Sequence, residues 1–265
     1  MQPKYTYLKN TQAKKYALVD YPNETVFFFT RKAASTLACS ILFQSEGLLD
    51  QECNVDYLSN IQKYRINIGS KIRAKLTHNI IIDPAWRKVK FVRSPYYRSV
   101  STYYNAIRIL KKRVDSEFSM SFLEYLNMLD SEDFIRSSRL SGSNTVLDLI
   151  YTHSLLQYCA FCDHYCTDYI RVENIDSELK QFDDSFEKSP GYYTSLQQVR
   201  TKVLDPRVRS RKKIKSNNFM GSTKLNNLDV YDYYAFFNSE TIELIEKIYH
   251  TDIIKYSYER PKIIF

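Results

Sequence analysis

"FFFTRKAAST", residues 27 to 36, decides how the rest of the chain is read. Three consecutive Phe suit a strand covered on both faces, as parallel strands are. The run stops at Thr30. Arg31 and Lys32 follow, then Ala33 and Ala34, then the hydroxyls of Ser35 and Thr36. Beyond them, Leu37, Ile41, Leu42 and Leu48 recur at helical spacing. A strand, a short loop and a helix N-terminus make an anion site, because first-turn amides are unpaired and the helix dipole adds partial positive charge. Ser35 and Thr36 suit that first turn. Lys32 can reach a phosphate or sulfate as a point charge. The plainer alternative is a lysine on a solvated turn. The loop has no Gly and lacks G-x-x-x-x-G-K-[ST], so it is not a Walker A loop.

Working outward, "ETVFFFT" (24–30), "KVKFVR" (88–93) and "DYIRVE" (168–173) read as buried strands, and "NIIID" (79–83), closed by Pro84, as a candidate fourth. Helical patterns lie between and after them: Val100, Tyr103, Tyr104 and Ile107, then Ile242, Ile245, Ile248 and Tyr249. Strands alternating with helices predict an α/β fold, a single P-loop-like domain over residues 1–265 with a central, mostly parallel sheet flanked by helices. The segment "RTKVLDPRVRSRKKIKSNN" (200–218) is densely basic and reads either as a lid or as a solvated surface stretch.

The 265 residues are 44% hydrophobic, ample for a core, and carry a formal charge of +8. That balance favours anionic partners without choosing among nucleotide, nucleic acid, sulfated substrate or membrane surface. No apolar run approaches the roughly 20 residues that span a bilayer. The N-terminus has lysines but no apolar h-region. The expected setting is therefore cytoplasmic; a Golgi-lumenal domain cut from its anchor would read the same way. Five cysteines are an odd number, which argues against a full disulfide framework. Cys159, Cys162 and Cys166 with His164 suggest either a zinc site or core cysteines on one helix face. The core reading is preferred, and no metal site is assigned.

A second stretch repeats the logic of the first. In "KVKFVRSPYYRSVSTYYN" (88–105) a strand ends on Arg93, a Pro-containing turn follows, and a helix carries Ser101. Ligands of open parallel sheets bind at that end of the strands. Arg93 and Ser101 could jointly hold a phosphate, with Arg98 either a third donor or a surface charge.

Together the two stretches resemble the nucleotide signatures of sulfotransferases that use 3′-phosphoadenosine 5′-phosphosulfate (PAPS), in their Golgi carbohydrate and bacterial branch. The first family pattern, P-K-[ST/A]-G-[ST]-[ST], is similar to Arg31-Lys32-Ala33-Ala34-Ser35-Thr36, with Arg31 in place of Pro and Ala34 in place of Gly. Ala34 then requires a loop without positive φ at that position. The second, V-R-[DS]-P-x-x-R-x-x-S-x-Y, is matched at every fixed position from Val92 to Tyr103. "DYIRVENIDSEL" (168–179) and "SETIELIEKIYHTDIIKYSY" (239–258) resemble the family's later strand-and-turn and closing helix.

The resemblance implies sulfuryl transfer from PAPS to a hydroxyl or amine of a glycan or small-molecule acceptor, without a metal. It implies that residues 31–36 hold the phosphosulfate, that Lys32 binds the leaving oxygen, and that Arg93 and Ser101 hold the 3′-phosphate. For the base it offers His78, with Glu46 as rival and His153 as a third candidate; His164 and His250 read as surface or core positions. The alternative is a basic, Tyr-rich nucleic-acid-binding protein without catalysis, since the chain has 23 Tyr. It leaves the two cation-bearing strand ends unexplained and offers no RNA-binding module. A nucleotide kinase fits less well, because the Walker lysine and a magnesium carboxylate are missing.

Overall fold

The computed structural model describes residues 17–21, 23–33, 35, 38, 78–134, 145–185, 220–222 and 232–263. By their contacts these form two compact units: a sheet unit drawn from residues up to Arg93 and from Gln157 to 185, and a helical unit drawn from Ser94–Leu156 and the C-terminal part.

The sheet unit holds β1 (Ala17–Asp20), β2 (Thr25–Phe28), β3 (Arg87–Val92) and β4 (Asp168–Arg171), in the order β1-β2-β3-β4. β2 pairs parallel with β3, and β3 parallel with β4. The fold is thus α/β with a mostly parallel sheet. One pair is antiparallel. β1 folds back on β2 through a turn in which Glu24 N–H donates to the Tyr21 carbonyl, the Asp20 carboxylate binds Asn23, and Glu24 takes a positive φ of 47°.

Of residues 79–83, expected as a strand, 79–82 instead belong to the short helix α1 (His78–Ile82). A strand so close before β3 could pair only as its antiparallel neighbour. Both edges of β3 are already taken by β2 and β4. The Asp83 carboxylate accepts the Ala85 N–H and closes the turn instead.

Both faces of β3 are covered. On one, Phe27 stacks on Phe91 at 5.8 Å and meets Phe182 of α6 (Ile175–Asp184). On the other lie Lys88 and Lys90, 3% and 2% exposed. The ammonium of Lys88 donates to the Asp83 carbonyl at the end of α1. That of Lys90 lies 2.5 Å from Asp163 in α5 (Ala160–Tyr165) and 2.6 Å from the Gln157 carbonyl.

In the helical unit, α2 (Pro95–Arg113), α3 (Phe122–Asp130), α4 (Val146–Ser154) and α7 (Ser239–Tyr256) pack around Val100, Tyr103, Ile107, Phe122, Tyr125, Phe236, Ile242 and Ile245. Pro95 opens α2 where its missing N–H costs nothing. Capping boxes at Ser121/Glu124 and Asn238/Thr241 start α3 and α7. Two core tyrosines keep their hydroxyls bonded: Tyr103 donates to the Met120 carbonyl, and Tyr125 pairs with Ser154. Among the described residues, no helix is long and apolar enough to cross a membrane.

Arg98 is neither a third donor nor a surface charge. It is 1% exposed, donates to the Leu155 and His153 carbonyls at the end of α4, and lies 3.8 Å from the buried Asp252 carboxylate of α7. Removing one member of such a buried pair strands the other. Asp252→Ala should cost about 3–5 kcal/mol of unfolding free energy in urea melts, and Arg98→Met with Asp252→Leu should recover most of that loss.

Candidate strand-end anion site

The C-terminal end of β2 runs on through the buried Phe29 and Thr30 into a tight turn. Ala33 N–H donates to the Thr30 carbonyl at 3.2 Å, and Lys32 takes φ 66°. After the turn, Ser35 and Ala38 are helical, where the sequence leads one to expect a helix. The positive φ falls on Lys32, two positions before the Ala34 where the family pattern has Gly. A residue with a Cβ is strained there. Arg31, Lys32 and Ser35 are half-buried, and Ala33 is fully buried. Ala34 and Thr36 lie outside the described residues.

Arg93 follows β3 directly. Phe28 and Lys90 are in register, so the parallel strands β2 and β3 release their chains at the same edge of the sheet. The Arg93 guanidinium donates to the Lys32 carbonyl at 3.2 Å. The two cation-bearing stretches, far apart in sequence, are thereby neighbours. The backbone of Arg93 is held on both sides by one side chain: its N–H donates to Gln157 Oε1 at 2.8 Å, and Gln157 Nε2 donates to its carbonyl at 2.6 Å. Gln157 is fully buried. Glu173, just after β4, places a carboxylate oxygen 4.0 Å from Arg93 Nε. At that distance the contact is a long ion pair, not a hydrogen bond.

Sequence reasoning missed Gln157 as a support for Arg93, and quoted Glu173 only inside a motif. No local signal marks Gln157, because the contact spans 64 residues. No known protein family, curated protein or solved structure matches this chain.

The other expected site residues are placed as follows. Ser101 is half-buried in the second turn of α2, in the helical unit. His78 opens α1, and nothing is described of its side chain. Glu46 and the basic segment 200–218 lie outside the described residues. His153 sits at the end of α4 with its Nδ1 2.6 Å from the Leu149 carbonyl. His164 and His250 are exposed. Cys159 and Cys162 are buried, in line with core cysteines, and Cys166 is half-buried. Among the described residues, no three metal-ligating side chains gather.

A left-handed lysine should be a net cost to folding. Lys32→Gly is expected to raise stability by about 1 kcal/mol in thermal melts, whereas Lys32→Ala, still burdened by a Cβ, stays near wild type.

Proposed function

We propose that the protein is a PAPS-dependent sulfotransferase acting on a hydroxyl or amine of a glycan or small-molecule acceptor. The observation that carries this reading is the bond from the Arg93 guanidinium to the Lys32 carbonyl, which joins the two strand ends the resemblance marks as nucleotide signatures. In this reading the 31–36 turn binds the phosphosulfate. Lys32 lies beside the bridging oxygen that gains negative charge as the S–O bond breaks. Arg93 holds the 3′-phosphate as a fork of N–H donors. The sulfuryl group passes in line to the acceptor oxygen or nitrogen, the acceptor's proton goes to a base, and adenosine 3′,5′-bisphosphate leaves. His78 and Glu46 remain the two candidates for that base. A strained, charged turn at the mouth of a parallel sheet is where a binding site is paid for in stability.

Calorimetry with adenosine 3′,5′-bisphosphate tests the cofactor half of the proposal. Wild type should bind in the micromolar range, and Arg93→Ala should weaken binding about tenfold or more. Glu173→Gln, which removes the competing carboxylate, should tighten binding about two- to fivefold, with the gain shrinking as salt is added. Absence of binding at millimolar nucleotide would reject the reading. Salt-sensitive retention on single-stranded DNA in its place would favour the nucleic-acid alternative. Ser101→Ala, measured separately, reports whether the helical unit contributes to nucleotide affinity.

A further inference from the structure

Glutamine is as a rule an exposed residue type, yet Gln157 is fully buried in the sheet unit. Both ends of its amide are engaged by the backbone of one residue. Oε1 accepts the Arg93 N–H at 2.8 Å, and Nε2 donates to the Arg93 carbonyl at 2.6 Å. A residue makes the same exchange with its partner in a hydrogen-bonded pair of antiparallel strands. Here it falls where strand pairing has stopped: the register of β3 with β2 ends at Lys90, and with β4 at Val92. The amide thus continues the ladder by one residue. A carboxamide suits that role because it carries a donor and an acceptor in one plane. An apolar side chain of similar length, such as Met, would fill the space and leave both Arg93 groups without these partners.

The brace is itself anchored. The Gln157 carbonyl accepts the Lys90 ammonium at 2.6 Å, and the Asp163 carboxylate accepts the same ammonium at 2.5 Å. Asp163 also accepts the Cys159 N–H at 2.8 Å, which ties the two ends of the brace segment together. Lys90 lies three residues before Arg93, so strand and brace are joined at two points. The Arg93 guanidinium, at the end of a long side chain, donates to the Lys32 carbonyl and lies 4.0 Å from Glu173. A small tilt of the Arg93 backbone moves that head group further than it moves the Cα, and a positioned group shifted by about 1 Å loses much of its effect.

We propose that Gln157 is a positioning residue of the anion site: its amide fixes the Arg93 backbone so that the guanidinium meets the 3′-phosphate of the nucleotide. This inference rests on the sulfotransferase reading, which gives Arg93 that phosphate. Gln157 is buried and acts through Arg93, without touching the nucleotide. Its effect therefore falls only on ligands that carry the group Arg93 holds. The linkage also runs backwards. A ligand bound through Arg93 holds the two Gln157 bonds closed, by the factor with which those bonds raise its affinity.

The test uses the full-length protein and calorimetry with two probes, adenosine 3′,5′-bisphosphate and adenosine 5′-monophosphate, which lacks the 3′-phosphate. Wild type should prefer the bisphosphate by about ten- to a hundredfold. Gln157→Met should bring that preference to within about threefold while binding the monophosphate as wild type does. In an Arg93→Ala background, adding Gln157→Met should change neither affinity. A second measurement needs wild type alone and decides the matter if Gln157→Met does not fold. Saturating bisphosphate should slow hydrogen exchange at the Arg93 amide about tenfold beyond the effect of saturating monophosphate. Equal losses for both nucleotides, an unchanged preference in Gln157→Met, or one Arg93 exchange rate with both nucleotides would each overturn the proposal and leave Gln157 a folding residue. Those outcomes sink this inference alone. A wild type that binds no bisphosphate, or shows no preference for it, sinks the assignment of the 3′-phosphate to Arg93 and this inference with it.

Discussion

The ion pair between Lys90 and Asp163 is the constraint on which the sheet unit turns. Lys90 sits mid-way along β3, between β2 and β4, on a face that is fully covered. An ammonium cannot remain there without partners, since desolvation costs several kcal/mol per ion. Asp163 and the Gln157 carbonyl supply them, which pins residues 157–163 across the strand. Once pinned, that segment delivers the Gln157 amide to the backbone of Arg93. Arg93 then reaches the Lys32 carbonyl, and the turn after β2 is tied to the end of β3. A buried charge in the middle of a strand thus controls the placement of a cation at its end.

The same device serves the helical unit. Arg98 is also buried, and its partners are again carbonyl groups and one carboxylate, here at the end of α4 and on α7. Three cations, Lys88, Lys90 and Arg98, are therefore structural. The carboxylates of Asp20, Asp163, Asp183 and Asp252 are buried as well, so the burial of these cations leaves the net charge of the surface close to the formal one. The tyrosines divide likewise. Tyr103 and Tyr125 are core residues with satisfied hydroxyls. At the start of α2, Tyr97 stacks on Tyr233 and meets Tyr234 edge-on, with Tyr234 43% exposed. Tyr97 and Tyr233 pack against the core of the helical unit.

Much of this was legible in the residues themselves. The runs "VFFF" and "KFV" marked β2 and β3, "DYIR" marked β4, and the spacing of Val100, Tyr103 and Ile107 marked α2. These signals are local: apolar side chains at period two or 3.6 commit a short segment before any partner is known. The end of β2, the turn with its cations and the helical residues Ser35 and Ala38 were readable for the same reason.

Long-range pairing decided the rest. β1 was not recognised, because "ALVD" is too short to announce itself and becomes a strand only by pairing with β2. "NIIID" had the composition of a strand but no free edge to join. The lysines of β3 alternate as if one face met water, yet helices cover that face. Ala34 drew attention to the loop's geometry, while the left-handed residue is Lys32, set by the turn that closes on Thr30. Gln157 carries no motif at all. Sequence alone determined β2, β3, β4, α2 and α7 and which of those strand ends carry cations, since these follow from side-chain period and local chemistry. Only the tertiary structure decided which cations are buried and which strand ends meet, since desolvation and edge pairing depend on residues far away in the chain.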